Sequence, residues 1–204
     1  MSSIPCNVVL LPNPEVAEKA IALSAELTQY GVHFTLANGA FYPHASIYML
    51  QLKAEDLPEV QNRLLQIANS IRPVHATAAR YWQAKQFLDV EYEKSAEMAD
   101  LQSSVVAALN PIRDGMRAKD VERMKEATGL ALENYQKYGW NTVGELYRPH
   151  LTLTRFLEDQ DIEQLLLPAI NEFSGPFPVL GLFEMGDNGT CVRKIAEFQL
   201  GSLQ

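Results

Sequence analysis

Cysteine is scarce in this chain of 204 residues: Cys6 and Cys191 are its only two. Two thiols are too few for a disulfide framework or a thiolate metal cluster. Both sit in strand-like apolar segments, which predicts buried thiols. Long apolar runs are missing as well. No stretch approaches the ~20 residues that span a bilayer, and the apolar start is broken by Pro12 and Pro14. That start predicts a first strand and not a secretion signal. A cytoplasmic protein with no membrane partner is the expectation. Positive charge is the third shortage: 17 Lys and Arg against 25 Asp and Glu leave a net charge of −8. Duplex nucleic acid asks for a basic footprint, so the balance argues against duplex DNA. A small nucleotide or an RNA end asks less, because only one or two phosphates need company in a locally basic cleft.

What is present is an ordinary core-forming composition, 47% hydrophobic and 9% aromatic, the signature of a folded chain. Apolar periodicity predicts helices at 14–30, 56–71, 94–110, 118–137 and 160–172. Alternation predicts strands at 5–11, 32–37, 41–52, 74–82, 86–93, 146–156, 177–185 and 191–200. Asn38-Gly39 marks a tight turn between two of them. This order hides a repeat. A strand, a helix and a strand pair over about 41–93 are matched by the same series over about 146–200. Helices over about 94–137 are inserted between them. Neither unit covers its own core, so a single bilobal domain over 1–204, α+β in class, is expected around a central cleft.

Both repeat units open on a proline and a histidine: FYPHASIYML at 41–50 and YRPHLTLTRF at 147–156. All four histidines of the chain are followed two residues later by Ser or Thr, so that spacing alone selects nothing. Strand parity does more. His44, Ser46 and Tyr48 share one face, as do His150, Thr152 and Thr154, while the intervening aliphatics face the core. Two polar rows in matching contexts favour a cleft between lobes. His75 falls opposite Leu180 when RPVHATA is aligned with PFPVLGL, and reads as a packing position. His33 has no counterpart in the second unit, and lining the cleft or a simple structural role are both open to it. Tyr42, Tyr48 and Tyr147 flank the motifs as base-stacking or lobe-packing aromatics. Arg148 shares the parity of His150 and is expected at the cleft rim. Arg155 has the opposite parity and reaches the cleft only if the strand bulges or ends. The basic positions of PIRDGMRAKDVERMK are interleaved with acids and read as a solvated helical surface, with contact to an RNA end as the alternative.

PHASIYML and PHLTLTRF resemble the paired motifs of the 2H phosphoesterase superfamily: a histidine, any residue, then Thr or Ser, on two strands of a pseudo-symmetric bilobal fold. Its bacterial members include RNA 2′,3′-cyclic phosphodiesterases, once called 2′-5′ RNA ligases. The resemblance implies two antiparallel-sheet lobes with outer helices. It makes His44 and His150 the catalytic pair and Ser46 and Thr152 the phosphate-binding hydroxyls, with no metal and no cofactor. The residues support that chemistry independently. Opening a cyclic phosphodiester needs a base for water and an acid for the departing ribose oxygen, and imidazole suits both. Hydroxyl donors suit the non-bridging oxygens. Acid or cysteine ligands do not neighbour the histidines at usual metal spacings. The expected activity is hydrolysis of 2′,3′-cyclic phosphate on small nucleotides or RNA ends by a monomer. RNA 3′-end trimming, 2′-5′ ligation or a non-catalytic nucleotide-binding module stand as alternatives. The sequence assigns neither histidine to the acid or the base.

Overall fold

Strand β1 (Ser3–Leu11) is buried from Cys6 to Leu10 without interruption, the pattern of a strand covered on both faces. It lies inside the large sheet of a computed structural model that describes residues 3–201. The ends of the expected 1–204 span fall outside the described residues. Helix α1 (Pro14–Glu26) follows, with Asn13 capping Val16 N and Pro14 at its start. Then come β2 (Ala45–Lys53), α2 (Leu57–Ser70), β3 (Val74–Ala76), β4 (Ala78–Ala84), β5 (Phe87–Tyr92) and α3 (Ala96–Leu109). The remainder is α4 (Ala118–Met124), α5 (Gly129–Tyr138), β6 (His150–Arg155), β7 (Gly175–Phe177), β8 (Val179–Met185) and β9 (Cys191–Gln199). Seven strands form one antiparallel sheet in the order β4-β5-β6-β2-β1-β8-β9, and β3 pairs with β7 in a second, small sheet. The α+β class is as expected. Among the described residues no helix is long and apolar enough to cross a membrane.

The two halves of the large sheet meet at β2 and β6 through the pair Ala45 and Leu151. Each of these strands carries a bulge three residues beyond its histidine. On β2 the register with β1 shifts at Ile47, and on β6 the register with β5 shifts at Leu153. A bulge takes one residue out of the ladder, and buried carbonyls there need other partners. Helices supply them. Gln102 of α3 donates to Ile47 O at 3.1 Å, and Ser24 of α1 donates to Leu153 O at 2.7 Å. The helices also cross over. Helix α1 follows β1 yet packs on β6, while α3 follows β5 and packs on β2. Each half of the sheet is therefore covered by a helix that emerges from the other half.

Four expected elements differ. Residues 32–37 form no strand beyond a bridge between Val32 and Phe156. Their backbone is satisfied elsewhere: Leu36 N bonds Ser24 Oγ at 2.9 Å and Phe34 O accepts from Thr154 Oγ1 at 2.7 Å. The 74–82 strand splits, because β3 leaves to pair with β7 while β4 pairs with β5. That pairing sets His75 across from Pro176, not in register with Leu180, and leaves it exposed. The 118–137 helix breaks where Thr128 is extended and Gly129 takes a φ of 54°. The 160–172 helix does not form; short 3₁₀ turns at Ile162–Gln164 and Ile170–Phe173 stand in its place. Pro168 lacks an N–H and pushes Leu167 out of helical space, so α2 has no partner in the second unit.

Gln102 is 1% exposed, and besides Ile47 O it holds Thr142 O and Gly144 N at 2.9 and 3.0 Å. Replacing Gln102 by Leu removes the partner of three backbone groups, the Ile47 carbonyl among them fully buried. A loss of about 3 kcal/mol in urea-unfolding free energy is expected. A change under about 0.5 kcal/mol would contradict the clamp.

Candidate active site

The bulges decide which side chains reach the cleft. His44 and Ser46 precede the bulge of β2, and His150 and Thr152 precede that of β6; all four line one cavity of about 1050 Å³. Beyond the bulge the parity inverts. Tyr48 and Thr154, expected in the same rows, are turned inward and fully buried. Tyr48 donates to Tyr138 O at 2.6 Å and Thr154 to Phe34 O. The same inversion carries Arg155 toward the cleft side. Its guanidinium bonds Asn188 at 2.9 Å and Gln86 at 3.2 Å and lies 5.2 Å from the Phe87 ring, next to the lining.

The two histidines are held alike. His44 Nδ1 is 2.7 Å from Tyr42 O and His150 Nδ1 is 2.8 Å from Arg148 O, in each case the carbonyl two residues back. A carbonyl only accepts, so Nδ1 carries the proton in both rings and Nε2 is left for chemistry. The neighbours of the two Nε2 atoms are different. His44 Nε2 lies 3.4 Å from the Asn7 amide nitrogen. His150 Nε2 lies 4.0 Å from an Asp89 carboxylate oxygen. His44 is open to the cavity at its edge but deep beneath the surrounding structure. Burial pushes its pKa down to about 4, His150 adds to the lowering, and the Tyr42 and Gly189 carbonyls oppose it.

The hydroxyls divide in the same way. Ser46 Oγ accepts from Asn7 Nδ2 at 2.9 Å, which leaves its proton to point outward. Thr152 Oγ1 donates to Asp89 Oδ1 at 2.7 Å, so its proton is aimed at a carboxylate and not at the space expected for a phosphate. Asp89 is 2% exposed and is also held by Arg148 Nη2 at 2.8 Å. Arg148 bonds Glu91 at 3.3 Å and stacks 4.1 Å from the Trp82 ring, at the cavity wall where its parity put it. Tyr42 lines the cavity with its ring 4.9 Å from Phe183. Tyr147 is buried, and neither it nor Tyr48 is among the lining residues. His33 is exposed and outside the lining; its neighbours Phe34 and Leu36 face the cavity instead. Among the described residues no three His, Cys, Asp or Glu side chains are grouped as metal ligands.

Asn7 and Asp89 escaped the sequence reading. Each stands in an otherwise apolar strand, NVVLL and FLDVEY, and a polar residue inside such a run is a signal that was available. The stretch Arg117, Lys119 and Arg123 also lines the cavity; Lys119 and Arg123 are solvent-exposed as expected, while Arg117 is buried.

The family model described as Protein of unknown function (DUF1045) matches residues 50–181. The chain belongs to the DUF1045 family. That match begins at the last residue of the first motif and spans the second. None of the curated proteins matches the sequence. Among solved structures, this DUF1045 protein is similar to E. coli LigT complexed with phosphate: 15% identity, all of both chains covered, TM-score 0.60. TT0787 of Thermus thermophilus is 15% identical over 97% of this chain and 98% of its own, TM-score 0.61. A further phosphoesterase is 14% identical over all of both chains, TM-score 0.61. At such identities the likeness is one of fold, and the fold is that of the 2H phosphoesterases.

The depressed His44 pKa has a thermodynamic consequence. A group lowered from about 6.5 to about 4 on folding contributes its stability above pH 6.5 and loses it as pH falls toward 4. Replacing His44 by Gln should therefore shrink the drop in unfolding free energy between pH 7 and pH 4.5 by about 2 kcal/mol. Equal drops in both proteins, measured by urea titration, would contradict a buried neutral His44.

Proposed function

We propose that this protein is a metal-independent phosphodiesterase that hydrolyses 2′,3′-cyclic phosphate on small nucleotides or RNA ends by two-histidine acid–base catalysis. The observation that carries this reading is the pair of Nε2 atoms in one cavity, each ring fixed by the same Nδ1 bond to a backbone carbonyl. Side chains supply both proton transfers, so no Lewis acid has to generate the nucleophile. The shared fold with LigT, which has been solved with phosphate and with 3′-AMP, supports the same class of ligand.

The unequal surroundings divide the roles. His44, held neutral chiefly by burial, takes a proton from water through Nε2. The water oxygen attacks phosphorus, and the bond from phosphorus to one ribose oxygen breaks. His150, whose Nε2 lies beside the Asp89 carboxylate, serves as the acid and gives an Nε2 proton to that oxygen. The product is a phosphomonoester; His44 ends protonated and His150 neutral, and exchange with solvent resets both. Ser46, its oxygen occupied by Asn7, donates to a non-bridging oxygen as charge develops. Thr152 acts through Asp89, which it holds beside His150.

Changing either His44 or His150 to Ala should lower kcat on a 2′,3′-cyclic nucleotide by at least about 100-fold, with the circular dichroism spectrum kept. Near-normal turnover in either variant would overturn the assignment. A nitrophenyl phosphodiester separates the roles, because nitrophenolate leaves without a proton. On that substrate His150→Ala should recover most of its lost rate and His44→Ala should not. The reverse pattern would exchange acid and base.

A further inference from the structure

The cavity that holds the histidines is far more basic at one end than the chain as a whole. Arg117, Lys119 and Arg123 line it from the length of α4 and the residue before it. Only Asp120 from the same stretch answers them. Asp120 is fully buried, is paired with Arg117, and reaches Arg123 only at 3.7 Å. Among the described residues no hydrogen bond or ion pair engages Lys119. Lys119 and Arg123 are one helical turn apart, and like charges at that spacing repel. The depressed ammonium of Lys119 reflects this: partial burial lowers it first, then Arg123, Arg155 and Arg117, with Asp187 opposing. With Arg155 beside them, these cations stand against Asp120 and Asp187, and Asp114 also lines the cavity, in a protein whose net charge is −8. Protein groups do not neutralise that surplus.

We infer that Lys119 and Arg123 form a second anion subsite in the same cavity, which receives a phosphate of the substrate other than the one that reacts. The inference rests on the proposed phosphodiesterase reading for the reacting phosphate and adds the substrate class: a nucleotide bearing two phosphate groups. The reacting phosphate belongs with His44, His150 and Ser46. The second lies across the cavity, at the helix inserted between the repeat units, and sets affinity without joining the chemistry. Arg117 is not free for this role, since it is buried against Asp120 and the sulfurs of Met49 and Met185. Arg155 is likewise held by Asn188 and Gln86.

Calorimetry with product-like nucleotides tests the subsite without turnover. Adenosine 3′,5′-bisphosphate should bind the wild-type protein at least about tenfold more tightly than adenosine 3′-monophosphate. The gap should close in the variant carrying K119Q and R123Q and persist in the variant carrying K119R and R123K. A 3′-phosphorylated dinucleotide offers an internucleotide phosphate in place of a 5′-terminal one. Tighter binding of the dinucleotide than of the bisphosphate would name an RNA end as the source, and the opposite order a mononucleotide. Equal affinities of the mono- and bisphosphate, or a gap that survives the glutamine substitutions, would overturn the subsite even if cyclic phosphate is hydrolysed. A gap that behaves as expected in a protein with no hydrolytic activity would keep the subsite and overturn the proposed reaction.

Discussion

A β-strand can present polar side chains to a cleft only on alternate residues, and a long strand would carry that row past the place where it is useful. In this protein the alternation of each motif strand is interrupted by a bulge at the third residue after its histidine, Ile47 on β2 and Leu153 on β6. The bulge confines each row to one imidazole and one hydroxyl and turns the next polar residue into the core. It also puts a backbone carbonyl in need of a partner at the most buried place in the sheet. Gln102 and Ser24 meet that need from α3 and α1. Because each helix comes from the opposite half of the sheet, the same two bonds that complete the bulges also fix the two motif strands against each other. The site depends on those bonds, although no atom of either side chain is among the lining residues.

The two motif strands are held alike on either side of the Ala45 and Leu151 pair, and their surroundings differ. Equivalent carbonyls hold equivalent Nδ1 atoms, so both histidines present the same nitrogen. What stands beside that nitrogen is an amide in one half and a carboxylate in the other. An acid and a base need opposite protonation at one pH, and neighbouring groups are how a protein obtains that from two identical side chains. In the proposed reaction that division falls to the Asn7 amide beside His44 and the Asp89 carboxylate beside His150. They also pull the hydroxyls apart, freeing the Ser46 proton and engaging that of Thr152.

The motif half of this account was legible in the sequence. Proline before each histidine, strand parity and matching places in the repeat bring His44, Ser46, His150 and Thr152 together, and the structure lines one cavity with them. Parity failed at Tyr48 and Thr154, because the bulged residues are Ile and Leu, with no glycine to mark a break. The 160–172 helix was read straight across Pro168, a residue that forbids a helix interior. The charges of 117–123 looked balanced along the chain. In space Asp120 turns inward to Arg117, and the remaining cations are left facing the cavity. Pairing along the sequence says nothing about which charge a neighbour neutralises.

The most direct test of two histidines acting as one acid–base site is phosphorus NMR of a 2′,3′-cyclic nucleotide incubated with the wild-type protein in excess EDTA. The account predicts that the cyclic diester resonance is replaced by that of a single nucleoside monophosphate, at an undiminished rate in the chelator. A cyclic resonance that persists unchanged, or hydrolysis that stops when EDTA is present, would contradict it.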